Sequence, residues 1–142
     1  MLRVADVLRG KGGTVFGIGP EDPVLEAIRV MAERHVGALL VMQGTELRGI
    51  VSERDYARKV VLLGRSSAET PVWQIMSSPV ISVGTDDTVH ACLELMTRHR
   101  IRHLPVLDGA TVVGVLSIGD LVKVIIDSQR QHIEDLERFI HS

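Results

Sequence analysis

Residues 49–55 and 114–120 are two versions of one phrase. Gly49-Ile50-Val51-Ser52-Glu53-Arg54-Asp55 and Gly114-Val115-Leu116-Ser117-Ile118-Gly119-Asp120 both read Gly-apolar-apolar-Ser-x-x-Asp, 65 residues apart. The same offset carries Asp22 to Asp87, Val24 to Val89, Met31 to Met96, Val36 to Ile101 and Val41 to Val106. Upstream, Asp6-Val7-Leu8 corresponds to Gln74-Ile75-Met76 at an offset of 68, with three extra residues falling between Arg9 and Thr14. A collinear series of this kind means that one supersecondary unit is used twice.

Each copy has a readable order. A helical turn over Val4 to Leu8 precedes a short strand, Val15 to Ile18. Pro20-Glu21-Asp22-Pro23 opens a helix, with acids at its positive end and proline in the first turn. Val24, Ala27, Ile28 and Met31 recur at helical spacing and form its buried stripe. Gly37 to Met42 and Leu47 to Ser52 read as buried strands, and Glu53 begins a helix to about Leu63. The second copy gives strand Val80 to Val83, helix Asp87 to His99, strands His103 to Leu107 and Val112 to Ser117, and a final helix from near Gly119 to about Ile140. The expected fold is therefore mixed α/β (α+β): two β-α-β-β-α repeats packed as a pseudo-twofold sandwich, with an extended C-terminal helix. The expected division is repeat 1 over 1–63, a linker of loop composition over 64–71, repeat 2 over 72–126 and a helical extension over 127–142. A unit of about 60 residues buries little core alone, so the halves should stack and leave equivalent clefts between them.

Composition removes several classes of function. Sixteen Lys plus Arg against 18 Asp plus Glu leave a formal charge of −2, which argues against a protein that coats nucleic acid. Aromatic residues make up 3 %, too few to build stacking platforms for single-stranded bases. No apolar run approaches the roughly 18–20 residues of a membrane helix, and the start of the chain lacks a signal-peptide pattern, so a cytoplasmic setting is expected. Cys92 is the lone cysteine and falls on the apolar stripe of its helix, as a small buried hydrophobe does. No Cys/His spacing suggests a metal site. His35 is expected at a helix end, His90 on a helix surface, and Trp73 and Tyr56 in packing.

The duplicated phrase, Arg102-His103-Leu104-Pro105-Val106, and the pair Asp6-Val7-Leu8 and Gln74-Ile75-Met76 resemble the cystathionine-β-synthase (CBS) domain, present as a tandem pair or Bateman module over about residues 2–126. The resemblance implies a regulatory module rather than a catalyst. It also implies an adenine ligand in the interrepeat clefts: AMP foremost, or ADP, ATP, NAD(H) or S-adenosylmethionine, with no metal required. Carried over residue by residue, one cleft takes Ser52, Arg54 and Asp55 from repeat 1. It adds Pro79, Val80, Ile101, Arg102, His103 and Pro105 from repeat 2. Val80, Ile101 and Pro105 would clamp a purine, Asp55 would accept from the ribose hydroxyls, and Arg54, Arg102 and His103 would neutralise phosphate. The other cleft takes Val115, Ser117, Gly119 and Asp120 with Val15, Val36, Gly37 and Ala38. Here Gly37-Ala38 replaces Arg102-His103, and Lys11, in the Gly-rich stretch 9–13, is the available cation.

Taken alone, a Ser-x-x-Asp is a helix cap; its duplication beside basic residues favours binding, and the two roles are compatible. Within Arg98-His99-Arg100, the cations complement a helix C-terminus. In the last helix Val122, Ile126, Gln129, Ile133, Leu136 and Ile140 are spaced 4, 3, 4, 3 and 4 apart, a short heptad seam. A homodimer with these helices at its interface is expected, or else a helix folded back on its own domain. The output of a sensor would lie in a separate enzyme, channel or signalling protein, and neither nucleic acid nor membrane is expected as a partner. Two other readings remain: a small nucleotide-acting enzyme using Asp55 or Asp120, and a purely structural dimerisation module.

Overall fold

The computed structural model describes residues 1–141. Two three-stranded sheets form, one per repeat. In the first, β1 (Gly17–Ile18) runs parallel to β2 (Ala38–Gln43), which pairs antiparallel with β3 (Glu46–Ser52). In the second, β4 (Val83–Gly84), β5 (His103–Asp108) and β6 (Thr111–Ser117) repeat that order. Both hairpins turn through a glycine at positive φ, Gly44 at 62° and Gly109 at 61°, a conformation open to a residue without Cβ. Crossover helices α2 (Val24–Arg34) and α4 (Val89–His99) bury Val24, Ala27 and Met31, and Val89, Cys92 and Met96, against their sheets.

Local departures from the sequence reading have local causes. The strands expected over 15–18 and 80–83 shrink to two-residue elements, because each ladders only two positions of its parallel neighbour. The helix expected from Glu53 to Leu63 is a single α turn, α3 (Glu53–Tyr56), followed by a π turn over Ala57–Val61. The wider turn is closed by a bond from Leu62 N to the Ala57 carbonyl, 3.0 Å. Pro23 stands at the N-cap of α2 rather than inside its first turn. Trp73 is 48 % exposed, so about half of it is withdrawn from water, and Tyr56 packs against the first core, while Cys92 is fully buried and His35 caps α2.

The largest difference lies near the N-terminus. The first helix, α1, spans Val4–Lys11, so residues 9–11 are helical and not part of a Gly-rich loop. Arg9 and Lys11 in its last turn complement the negative helix end. Any backbone groups left free at that end are carbonyls, not the anion-binding amides a Gly-rich loop would offer.

Sequence repeats and packing units do not coincide. Val4 and Val7 are buried in a core with Val83, Cys92, Met96, Leu104, Leu116 and Leu121, all from repeat 2. Val72 and Ile75 are buried with Ile18, Met31, Leu39 and Val51, from repeat 1. Each leading segment therefore packs on the other repeat. Matching bonds hold the exchange: Val4 N to the Asp87 carbonyl and Val72 N to the Asp22 carbonyl, both 2.9 Å. The last helix, α5 (Ile118–His141), starts against this second core through Leu121 and runs outward. Among the described residues, no helix is long and apolar enough to cross a membrane.

Candidate functional site

A cleft of about 460 Å³ opens between the repeats. That size lies within the range of small-molecule sites. From repeat 1 its wall is the β3–α3 junction and the π turn; from repeat 2 it is the segments 77–81 and 99–103. Ser52, Arg54, Asp55, Pro79, Val80, Ile101, Arg102 and His103 all line it. Pro105 does not. It shares a strand face with His103 but sits one pleat deeper, opposite Val115 and buried.

The Ser52–Asp55 pair is first of all a capping box. Asp55 N donates to Ser52 Oγ at 3.2 Å, and Ser52 N and Oγ donate to Asp55 Oδ2 at 2.9 and 3.0 Å. Asp55 Oδ1 faces Lys59 Nζ at 3.2 Å, and the same ammonium donates to the Ile75 carbonyl at 2.9 Å. A carboxylate offers about four lone-pair sites. Three are in use here, so Asp55 presents one open site on Oδ1 and not a clasp for two hydroxyls while Lys59 stays in place.

Arg54 reaches across the cleft, and its Nη1 donates to the Arg100 carbonyl of repeat 2 at 3.2 Å. Arg100 itself is the left-handed C-cap of α4, φ 54°. Five Lys or Arg side chains (Arg54, Arg58, Lys59, Arg100, Arg102) line the cleft against two acids, Glu53 and Asp55. The cleft is thus cationic on a chain of net charge −2, with Val80, Ile81 and Ile101 as its apolar surface. His103 does not add to the charge at neutral pH. Burial pushes its pKa below the usual 6.5, Lys11 and Arg102 push the same way, and Asp120 only partly opposes them. The expected phosphate-neutralising cation is instead a neutral ring with one N–H to donate.

Arg58 and Lys59 were not legible from the motif. Their signal was spacing: they follow Asp55 by three and four residues, which places them beside it on a helical face. Gly37, expected in the other cleft, lines this one. A Cβ built on it would lie 3.4 Å from His103 Cε1, so the two repeats meet at this point.

At the other junction, Ser117 N donates to Asp120 Oδ2 at 2.7 Å and Asp120 N donates to Ser117 Oγ at 3.1 Å. Lys11 Nζ sits 2.5 Å from Asp120 Oδ2 and 2.6 Å from the Val115 carbonyl. Burial works to raise the Asp120 pKa, but the bonds from Lys11 and Ser117 outweigh it and hold the group below the ordinary 3.8. Val15 and Val36 are half-buried, Ala38 is buried in β2, and Gly119 is exposed in the first turn of α5.

A duplicated β-α-β-β-α unit with a capping box at each strand-to-helix junction and a cleft at the seam defines a paired α/β module. Comparison with known proteins identifies its family. The CBS-domain family model matches residues 14–62 and 72–127. The chain is 36 % identical over 146 residues to a mitochondrial CBS-domain-containing protein, CBSX3, of Arabidopsis thaliana, covering 96 % of this chain and 71 % of the relative. The structure of a protein with CBS domains from Burkholderia ambifaria MC40-6 superposes with a TM-score of 0.86 at 49 % identity, covering 89 % of this chain and 96 % of the other. The CBS-domain pair of protein MJ0100, solved with 5′-methylthioadenosine and S-adenosyl-L-methionine, shares the fold at a TM-score of 0.80 and 21 % identity, covering 90 % and 98 % of the two chains. The chain belongs to the CBS-domain family, and its two matched segments make it a tandem pair.

Proposed function

We propose that the Asp55 cleft binds an adenine nucleotide, AMP foremost with ADP, ATP and NAD(H) as the related candidates, and that the chain is a sensor rather than an enzyme. The observation that carries this reading is the cationic cleft itself, walled by both repeats and crossed by the Arg54–Arg100 contact. An anionic phosphate would draw Arg54, Arg58 and Arg102 together by charge-assisted bonds. Val80, Ile81 and Ile101 offer the apolar surface a purine face needs. Asp55 would accept one ribose hydroxyl on Oδ1 as found, and a second once Lys59 turns toward phosphate. The adenosine compounds held by the MJ0100 pair support the choice of ligand class.

Because the wall comes from both repeats, a ligand that contacts both favours one relative placement of the halves over others. That differential affinity is what permits a switch. The output passes to a separate enzyme, channel or signalling protein. Two copies of the chain associate, with the exposed seam of α5 at their interface.

A thermal-shift panel of AMP, ADP, ATP, NAD, NADH and S-adenosylmethionine tests the reading. A ligand at 100 times its Kd adds about 2.7 kcal/mol of stability. Stabilisation by an adenine nucleotide that Asp55→Ala abolishes is the expected result. No shift with any of the six compounds would remove nucleotide sensing. Turnover of ATP or NADH that Asp55→Ala abolishes would make the chain an enzyme.

A further inference from the structure

The two junctions share a sequence but not surroundings. By the offset of 65, Asp120 corresponds to Asp55 and Val115 to Ile50, while Lys11 falls among the extra residues that follow Arg9, on the segment that in the other copy leads from Ser77 to Pro79. Ile50, Asp55 and Pro79 all line the Asp55 cleft. Lys11, Val115 and Asp120 therefore stand where the lining of a second cleft would recur, and they are bonded to one another. Lys11 Nζ lies 2.5 Å from Asp120 Oδ2 and 2.6 Å from the Val115 carbonyl. In the first cleft the carbonyl of Ile50 is instead taken by Ser77 N, at 2.9 Å, in an extended bridge. The residue corresponding to Ser77 is Arg9, which is helical because α1 runs on to Lys11. That extra helical length delivers the ammonium to the carboxylate.

The contact is partly withdrawn from water, with the Lys11 and Asp120 side chains 35 % and 24 % exposed. The strand that supplies Arg102 and His103 to the first cleft has Gly37 and Ala38 at the corresponding positions. Nothing on that strand would replace Lys11 as a partner for phosphate, and Lys11 is already neutralised by Asp120. A nucleotide entering there would have to displace the ammonium from the carboxylate that should take its ribose.

We propose that Lys11 is the built-in occupant of the second cleft, so that one chain takes up a single nucleotide, at Asp55. The inference rests on the nucleotide reading of the Asp55 cleft. It makes Lys11 a determinant of stoichiometry, and Asp120 a carboxylate held in reserve behind it.

Isothermal titration of AMP into the full chain decides the matter. Wild type is expected to bind one AMP per chain and Asp55→Ala none. Lys11→Ala frees Asp120 for ribose hydroxyls but leaves no cation there for a phosphate. In a parallel titration with adenosine it is therefore expected to bind two adenosines against one for wild type, and Lys11→Ala combined with Asp55→Ala one. Lys11→Arg keeps a cation on Asp120 and is expected to stay at one. Two AMP per wild-type chain would overturn the inference and leave the nucleotide reading standing. A single adenosine bound by Lys11→Ala that the added Asp55→Ala abolishes would do the same. No binding by wild type or any variant overturns the nucleotide reading and this inference with it. The wild-type stoichiometry alone can sink the proposal should Lys11→Ala fail to fold.

Discussion

His103 shows how one side chain answers to both junctions. It lines the Asp55 cleft, yet the charges that act on it include Lys11 and Asp120 from the other side. Burial is the largest influence, and the net result is a pKa below 6.5 in the folded state. The folded chain thus favours the neutral ring, and the unfolded chain takes up a proton first as pH falls. The stability tied to this group is complete above pH 6.5 and is lost as pH drops through and below that value, until folded His103 itself protonates. Urea unfolding at about pH 7.5 and about pH 5.5 measures the effect. Wild type should lose more stability between those two conditions than His103→Asn, and equal losses would remove His103 as the cause. The resemblance carried His103 into the cleft, but a motif carries no information about burial, which decides its charge. Ser52 and Asp55 were legible because the repeat marks them twice. Arg58 and Lys59 escaped because they lie beyond the repeated phrase, and only the helical turn after Asp55 brings them to the wall. Pro105 came with the same resemblance; it shares the strand face of His103 but lies deeper, because alternation fixes a side chain's face and not its depth.

At the scale of elements, the exchanged leading segments press on a matching pair of glycines. A Cβ at Gly114 would lie 2.7 Å from Leu8 Cδ2, and one at Gly49 would lie 2.7 Å from Met76 Sδ. These four residues correspond under the offsets of the repeat, so the phrase opens with Gly in both copies for a packing reason: β3 and β6 must admit a segment from the other repeat. The second neighbours differ. Gly49 also faces the Ser77 carbonyl at 2.9 Å, whereas the remaining neighbours of Gly114 are Leu8 side-chain atoms at 3.5 Å or more. A side-chain end can rotate away, but a carbonyl engaged in the Ile50–Ser77 bridge cannot. Overpacking typically costs about 1–3 kcal/mol, and a strand Gly→Ala change returns roughly 0.5–1 kcal/mol of backbone entropy. Gly49→Ala should therefore cost about 2 kcal/mol, while Gly114→Ala should fall below about 1 kcal/mol. Chemical denaturation of the two variants checks this, and equal losses would contradict it. Helices α2 and α4 and the paired strands were legible because periodicity and turn residues mark them. The extent of α1 was not, because glycines on both sides of Lys11 argue for a loop, and tertiary anchoring on the second core overrides that propensity.

For the whole molecule, the exchange means that neither repeat closes its own core, so the pair should unfold as one unit. What this compact pair does not cover is the far half of α5. Leu121 is fully buried and Val124 and Ile125 pack on the second core, but beyond Ile126 every described residue of the helix is exposed. A helix of 24 residues extends about 36 Å, and helical stability comes mostly from packing of an apolar face. The seam supplies such a face: Val122, Ile126, Ile133, Leu136 and Ile140 are 44, 49, 55, 49 and 73 % exposed. Ile126, Ile133 and Ile140 take one heptad position, and Val122, Gln129 and Leu136 the other. Isoleucine at the first with leucine at the second favours two parallel strands, and a polar layer fixes their register. Gln129 would then face its own copy across a twofold axis. Sedimentation of the full chain should show a dimer, and Leu136→Asp should shift it toward monomer while the cooperative unfolding of the paired repeats is kept. A full chain that stays monomeric at about 100 µM, with a complex affinity weaker than about 5.5 kcal/mol, would reject the interface. A dimer untouched by Leu136→Asp would move the interface off the tail and onto the body of the pair.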